Sequence, residues 1–307
     1  MPKIPVIATV AAAYRYAFAN YLRLLGVAWA STLVLSIVVI GLFMPMILAM
    51  EQGLIGGDPM AAVRSVGPLF LFEALLLLLL LIAPIGVTRL IFGRPVTWPY
   101  FYFGLGGDYW RLVLASMILG LMLIGVGIAV SIPIGILAGS AAVSAGPHAD
   151  PVALQAQIQA QMQVYRPFII VPIYAAMLFI AVRFGFFLPA IVVEEKRVGI
   201  GRNWTLTRGN SWRIAGIVVL LFLPLVALGA IQFAAIAAFG GPNYMDMFGV
   251  PPASLKASGA ILRIYLDHGV LYGAAMLLLY PLFYGPFLAA SAHAYRAIAG
   301  EGPPAQD

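Results

Sequence analysis

The chain contains no cysteine, which excludes disulfides, thiolate metal sites and thiol nucleophiles and leaves the compartment unmarked by redox chemistry. Charge is almost as scarce. Only 9% of the 307 residues are Asp, Glu, Lys or Arg, against about 25% in soluble domains. The three histidines, His148, His268 and His293, are scattered and cannot share a metal. Hydrolysis needs a nucleophile beside a base, or a metal with three ligands, and no such grouping is written here. The chain therefore reads as a non-enzyme without cofactors. What fills it instead is apolar: 63% of residues are hydrophobic and the mean hydropathy is +1.01, the composition of an integral membrane protein.

Apolar runs place six spans at about 24 to 50, 67 to 92, 112 to 138, 168 to 193, 213 to 239 and 268 to 292. Ahead of the first, residues 5 to 22 form a helix of modest polarity that lies at the interface. Lys3, the following apolar residues and Ala17-Phe18-Ala19 imitate a secretory signal, but Tyr14-Arg15-Tyr16 interrupts it before the cleavage site, so a retained helix is expected. Residues 95 to 111 are rich in rings, among them Trp98, Tyr102, Tyr109 and Trp110, which suits a second interfacial segment. A turn rich in Gly, Ala and Ser follows the third span. The alternating Gln155, Gln157, Gln159, Gln161 and Gln163 fit a strand template, but Ala, Gln, Leu and Met favour a helix. The expected architecture is all-α, a polytopic membrane bundle of six transmembrane helices in one domain over residues 1–300, with a tail at 301–307.

The most charged stretch is the connector at 194–213, which holds Glu194, Glu195, Lys196, Arg197, Arg202, Arg208 and Arg213. If the N-terminus, the second-to-third and fourth-to-fifth connectors and the tail share a side, thirteen of the seventeen Lys and Arg fall there. The excess of positive charge puts both termini in the cytoplasm of a bacterial inner membrane. A repeat underlies this pattern. Asn20-Tyr-Leu-Arg23, Asp108-Tyr-Trp-Arg111 and Asn210-Ser-Trp-Arg213 precede spans one, three and five, each with an aromatic nine residues before its arginine: Tyr14, Tyr102 and Trp204. Asn or Asp can cap the new helix, and the arginine can reach back to lipid phosphates. Three pseudo-repeats of interfacial helix plus transmembrane hairpin are expected, at about 5–94, 95–197 and 198–298.

The run Arg183-Phe-Gly-Phe-Phe-Leu-Pro189 to Glu194, continued by Trp204-Thr-Leu-Thr207-Arg-Gly209-Asn210-Ser-Trp-Arg213, resembles the signature region of a bacterial six-span inner-membrane family. That family includes the uncharacterised YciC-type proteins and the membrane domain of some glycerophosphoryl diester phosphodiesterases. The Tyr14-Arg15 to Arg23 segment is similar as well. The resemblance implies the fold. It does not carry over hydrolysis, because the catalytic phosphodiesterase domain has no counterpart here.

Candidate contacts for lipid or substrate are Arg183, Glu194, Glu195, Arg89, Arg23, Arg111, Arg213 and Trp204. Arg183 stands about ten residues inside the inner end of span four, where a bare cation costs about 2.5 to 3.5 kcal/mol. It must reach a phosphate, the carbonyls freed near Pro189, Glu194 or Glu195, or the interface. Glu73, in span two, suggests an interfacial or interhelical hydrogen bond. Gly104, Gly106 and Gly107 imitate a phosphate-binding loop, but no strand precedes them and no Lys-Ser or Lys-Thr follows. A basic segment abutting two spans suits anionic lipid headgroups and not nucleic acid. The expected function is membrane organisation or the binding of a membrane-protein partner, with anionic-lipid contacts on the cytoplasmic face. The alternative is a carrier for a lipid or amphipathic solute, built on Arg183 and the Pro189 break.

Overall fold

A computed structural model describes residues 2–55, 60–96, 102–145, 171–238 and 253–299. The expected glutamine-rich helix, His148 and the tail lie outside the described residues. Within them every element is helical, and six helices are long and apolar enough to cross a membrane: Tyr21–Met50, Gly67–Ile91, Gly107–Pro133, Val171–Glu195, Ser211–Ile231 and Gly269–Ala299. They coincide with the spans expected from hydropathy, and so the chain is an integral, multi-pass membrane protein. One boundary differs. The helix of span three runs on to Ala145, through the Gly, Ala and Ser stretch expected to turn, because alanine sustains a helix better than any other residue.

The helix Val6–Ala19 packs mainly on span six. Its buried face is small, with Thr9, Ala13 and Ala17 at four-residue spacing, and the partner is equally small: a Cβ on Gly285 would stand 2.9 Å from Leu24 and 3.3 Å from Ala17. Ile7 and Phe18 point away. The middle aromatic segment behaves otherwise. Residues 102 to 105 are not helical, and the Tyr102 ring is buried within the protein. Among the described residues, then, a short helix precedes span one, as Val6–Ala19, span five, as Ile200–Thr207, and span six, as Ala253–Asp267, while none precedes span three.

Helices continue through Pro133, Pro224, Pro281 and Pro286. Pro189 stands at a break. Span four widens into a π-helical turn at Ala181–Gly185, turns at 186 and 187, and restarts as Leu188–Glu195 with the proline in its first turn. A break at this depth leaves backbone groups that lipid cannot satisfy. Two side chains supply the partners. Asn203 Oδ1, on the connector helix Ile200–Thr207, accepts the Phe187 N–H at 3.0 Å, and Ser291 Oγ, on span six, donates to the Phe186 carbonyl at 2.7 Å. Phe186, Phe187, Leu188 and Ile191 around the break are almost wholly buried, packed with Leu24, Ile82, Ile85, Ile214 and Ile217. The core therefore sits in one half of the bundle. Toward the other end the described side chains of span three, such as Ile124, Ile128, Ile132 and Ile136, face outward where lipid would lie.

Because Asn203 is fully buried, Asn203→Ala leaves the Phe187 N–H unpaired and should lower stability by about 2 kcal/mol. Ser291→Ala should cost about half as much, since the carbonyl it abandons is the more tolerant group. Denaturant unfolding in detergent measures both; an Asn203→Ala protein as stable as the wild type would remove the break from the list of structural constraints.

Candidate functional site

The packed half of the bundle is also the basic end, and polar contacts tie its helix termini together. Arg94 at the foot of span two makes a two-pronged contact with Glu194 of span four, Nε to Oε1 at 3.1 Å and a terminal nitrogen to Oε2 at 2.8 Å. Glu195 accepts from Tyr295 of span six at 2.8 Å and from Arg202 of the connector helix at 3.0 Å, and it also pairs with Arg197. Arg296 donates to the Ile91 carbonyl and lies over the Phe92 ring. The N-terminal segment is clasped by the foot of span five: Asn210 accepts the Ile4 N–H at 3.1 Å and donates to the Pro2 carbonyl at 3.0 Å, while Arg213 donates to the Ile4 carbonyl at 2.9 Å. Both ends of the described chain thus lie at the same end of the bundle.

The densest charge cluster centres on Asp108, in the first turn of span three. Lys196 Nζ approaches its carboxylate at 2.8 Å, Arg111 at 3.1 Å and Arg89 at 3.2 Å. The Asp108 side chain is 8% exposed, and the three cations are 31 to 49% exposed, so the carboxylate is buried beneath heads that reach water. Lys196 sits there by a backbone turn of positive φ, 54°, that ends span four. Arg89, Arg111 and Lys196, with Tyr102 and the bare backbone of Gly104 and Gly106, line a hollow of about 430 Å³. Tyr102 wedges between span two and this loop. A Cβ on Gly86 would stand 2.5 Å from its ring, and one on Gly104 2.7 Å from its hydroxyl. Burial pushes the Tyr102 phenol up, and the Arg89 guanidinium, which donates to its oxygen, pulls it partly back.

Arg183 finds a partner that the sequence did not suggest. It donates to Thr207 Oγ1 at 3.2 Å and Ser211 Oγ at 3.0 Å and lies 3.8 Å over the Trp204 ring, whose other contacts include Phe184 and Phe179. The carbonyl freed at Phe186 goes to Ser291, and Glu194 and Glu195 go to other cations, so none of the expected intramolecular acceptors serves Arg183. The repeated Asn/Asp-x-x-Arg motif likewise diverges. Asn20 donates to Tyr16 and does not cap span one; Asp108 gathers cations; Asn210 clasps the N-terminal segment. Arg23 is exposed, with its charge felt at Tyr16, whose phenol is pushed up to about 12, chiefly by burial. Glu73 is exposed on span two and makes no polar contact among the described residues.

Reading by residue type missed Asp108 as a hub, treating it only as a helix cap. A signal was present: it is one of eleven acids, it lies three residues before Arg111, and it falls on the side holding thirteen cations. Among the described residues no three His, Asp or Glu side chains converge as metal ligands. No protein-family model, curated protein or solved structure matches the chain.

Removing the hub carboxylate strands three cations. Asp108→Ala should destabilise the protein by about 1 to 3 kcal/mol, less than a fully buried pair would lose because the cations keep water. Thermal unfolding in detergent should show the loss shrinking in high salt, where the repulsion is screened; a loss that is equal at both salt concentrations would mean packing, not charge, holds this corner.

Proposed function

We propose that the chain is a non-enzymatic six-span protein of the bacterial inner membrane, of the fold type its sequence resembles, with both termini in the cytoplasm. Its basic end grips anionic headgroups of the cytoplasmic leaflet, and its role is to organise membrane or to hold a membrane-protein partner. One observation carries this reading. Among the described residues at the basic end, thirteen Lys and Arg meet only three carboxylates, Asp108, Glu194 and Glu195. The ion pairs that tie the helices together leave an excess of positive charge facing the level of the headgroups. Rings frame that excess: Trp110, Trp204 and Trp212 are exposed at the same end, Trp212 by 89%. Each exposed cation near an anionic surface contributes about 1 kcal/mol, and tryptophan anchors at the interface.

The carrier alternative needed Arg183 and the Pro189 break as a midplane site. Both are engaged in packing, Arg183 by Trp204, Thr207 and Ser211, the break by Asn203 and Ser291. That favours the organising role.

Native-lipid extraction followed by mass spectrometry tests the choice. Arg23→Gln combined with Arg208→Gln, two exposed cations, should reduce copurifying anionic lipid, while Arg183→Ala should lower stability and leave the lipid profile as in the wild type. A particular lipid lost only from a folded Arg183→Ala protein would move the function to the carrier.

A further inference from the structure

We propose that the hollow framed by Arg89, Arg111, Lys196 and the 104–107 loop is a binding site for a phosphomonoester dianion. The inference rests on the headgroup reading and sharpens it from a diffuse surface to one built site. Four features support it. First, the charges do not close: three cations converge on one carboxylate, leaving two positive charges around a hollow whose floor is buried. The cations keep part of their water, so the excess acts as a local field that draws an anion into the hollow. A phosphomonoester, with its second proton lost near pH 6, carries about that charge at neutral pH, whereas a phosphodiester headgroup carries one.

Second, the donors are of the right kind. Two guanidinium forks and one flexible ammonium can meet several phosphate oxygens at once. The Arg89 Nε is buried and has no hydrogen-bond partner in the structure. Third, the loop delivers backbone. Span three starts at Gly107, and the Tyr109 and Trp110 amides bond back to the Gly106 carbonyl at 3.0 and 3.3 Å, so the helix is wound from its first turn. The first amides of a helix lack intrahelical acceptors and carry its positive dipole end. No atom lies within 4 Å of where a Cβ of Gly106 would stand, which leaves that stretch of backbone open to a ligand. Fourth, the volume of about 430 Å³ falls within the range of about 300 to 1,000 Å³ typical of small-ligand sites.

The phosphate could belong to a lipid of the phosphatidic-acid type, since the site lies at the basic end of the spans, or to a soluble phosphomonoester. The full chain in a neutral detergent, free of phosphate buffer, would be titrated with short-chain phosphatidic acid, phosphatidylglycerol, phosphatidylcholine and, separately, inorganic phosphate, with thermal stability as readout. The expected result is stabilisation by phosphatidic acid at concentrations roughly tenfold below those needed for phosphatidylglycerol. Competition by inorganic phosphate would assign the site to the phosphate itself; phosphatidic acid without such competition would assign it to the lipid; phosphate alone would make the ligand soluble. Equal response to phosphatidic acid and phosphatidylglycerol, with none to phosphate, overturns the proposal and leaves the general headgroup reading standing. No response to either anionic lipid beyond that to phosphatidylcholine, and none to phosphate, overturns both.

Variants locate the effect. Lys196→Asn removes a charge while suiting the positive φ of that position, and should abolish the preference for phosphatidic acid. Arg15→Gln, an exposed cation on the first helix outside the hollow, should leave the preference intact. Asp108→Asn raises the positive excess and should tighten phosphate binding, a gain that a purely structural role for the cluster does not provide. A preference unchanged in Lys196→Asn and Asp108→Asn would place the ligand elsewhere and refute the assignment.

Discussion

A backbone broken inside a membrane must find its hydrogen bonds within the protein, and in this chain that requirement falls on Phe186 and Phe187. The π-helical turn and Pro189 interrupt span four where no water waits. Asn203 and Ser291 answer from opposite directions, one from the connector helix and one from span six. Their bonds fix more than two atoms. Once Asn203 is held, Trp204 falls over Arg183, and the connector helix brings Arg202 to Glu195. Once Ser291 is held, the same helix presents Tyr295 to Glu195 one turn further on. The charged end is organised around a polar repair in the apolar core.

That dependence explains why so few carboxylates suffice. Asp108, Glu194 and Glu195 each join helix ends that the core has already brought close, so the ion pairs meet geometry that is prepared. Exposed pairs contribute little on their own, but a carboxylate buried under several cations contributes orientation. The three cations aim inward to the hub while 31 to 49% of each side chain stays exposed. On the proposed phosphate site, stability and recognition would draw on the same side chains, with Asp108 setting the balance between them.

The six spans were legible in the sequence because hydropathy is a local property, and each coincides with its apolar run. The asymmetric basic end was legible for the same reason. Contacts between distant residues were not. Arg183 promised a charged or carbonyl partner, yet its partners are two hydroxyls 24 and 28 residues onward, residues that look unremarkable beside the arginines of the connector. The letters Asn20, Asp108 and Asn210 recur at equivalent places and perform three different tasks, since a side chain's partner depends on which neighbour the fold delivers. Tyr102, read as one ring of an interfacial belt, is buried because Gly86 leaves room beneath it. Gly104, Gly106 and Gly107 lack the preceding strand and following lysine of a phosphate loop, and the lysine that lines the hollow beside them comes from the end of span four, as Lys196.

The clasp on the N-terminal segment has a consequence for the order of assembly. Ile4 bonds to Asn210 across a separation of 206 residues, and Arg213 closes the same contact from 209 residues away. Chains emerge from the ribosome at about 5 to 20 residues per second, so the segment waits roughly 10 to 40 s for its partners to be made. Throughout that interval the first helix can rest on lipid but cannot reach its final seat. The N-terminal segment is therefore among the last parts to be locked: its clasp waits for the foot of span five, and the helix behind it waits longer still, for span six, on which it mainly packs.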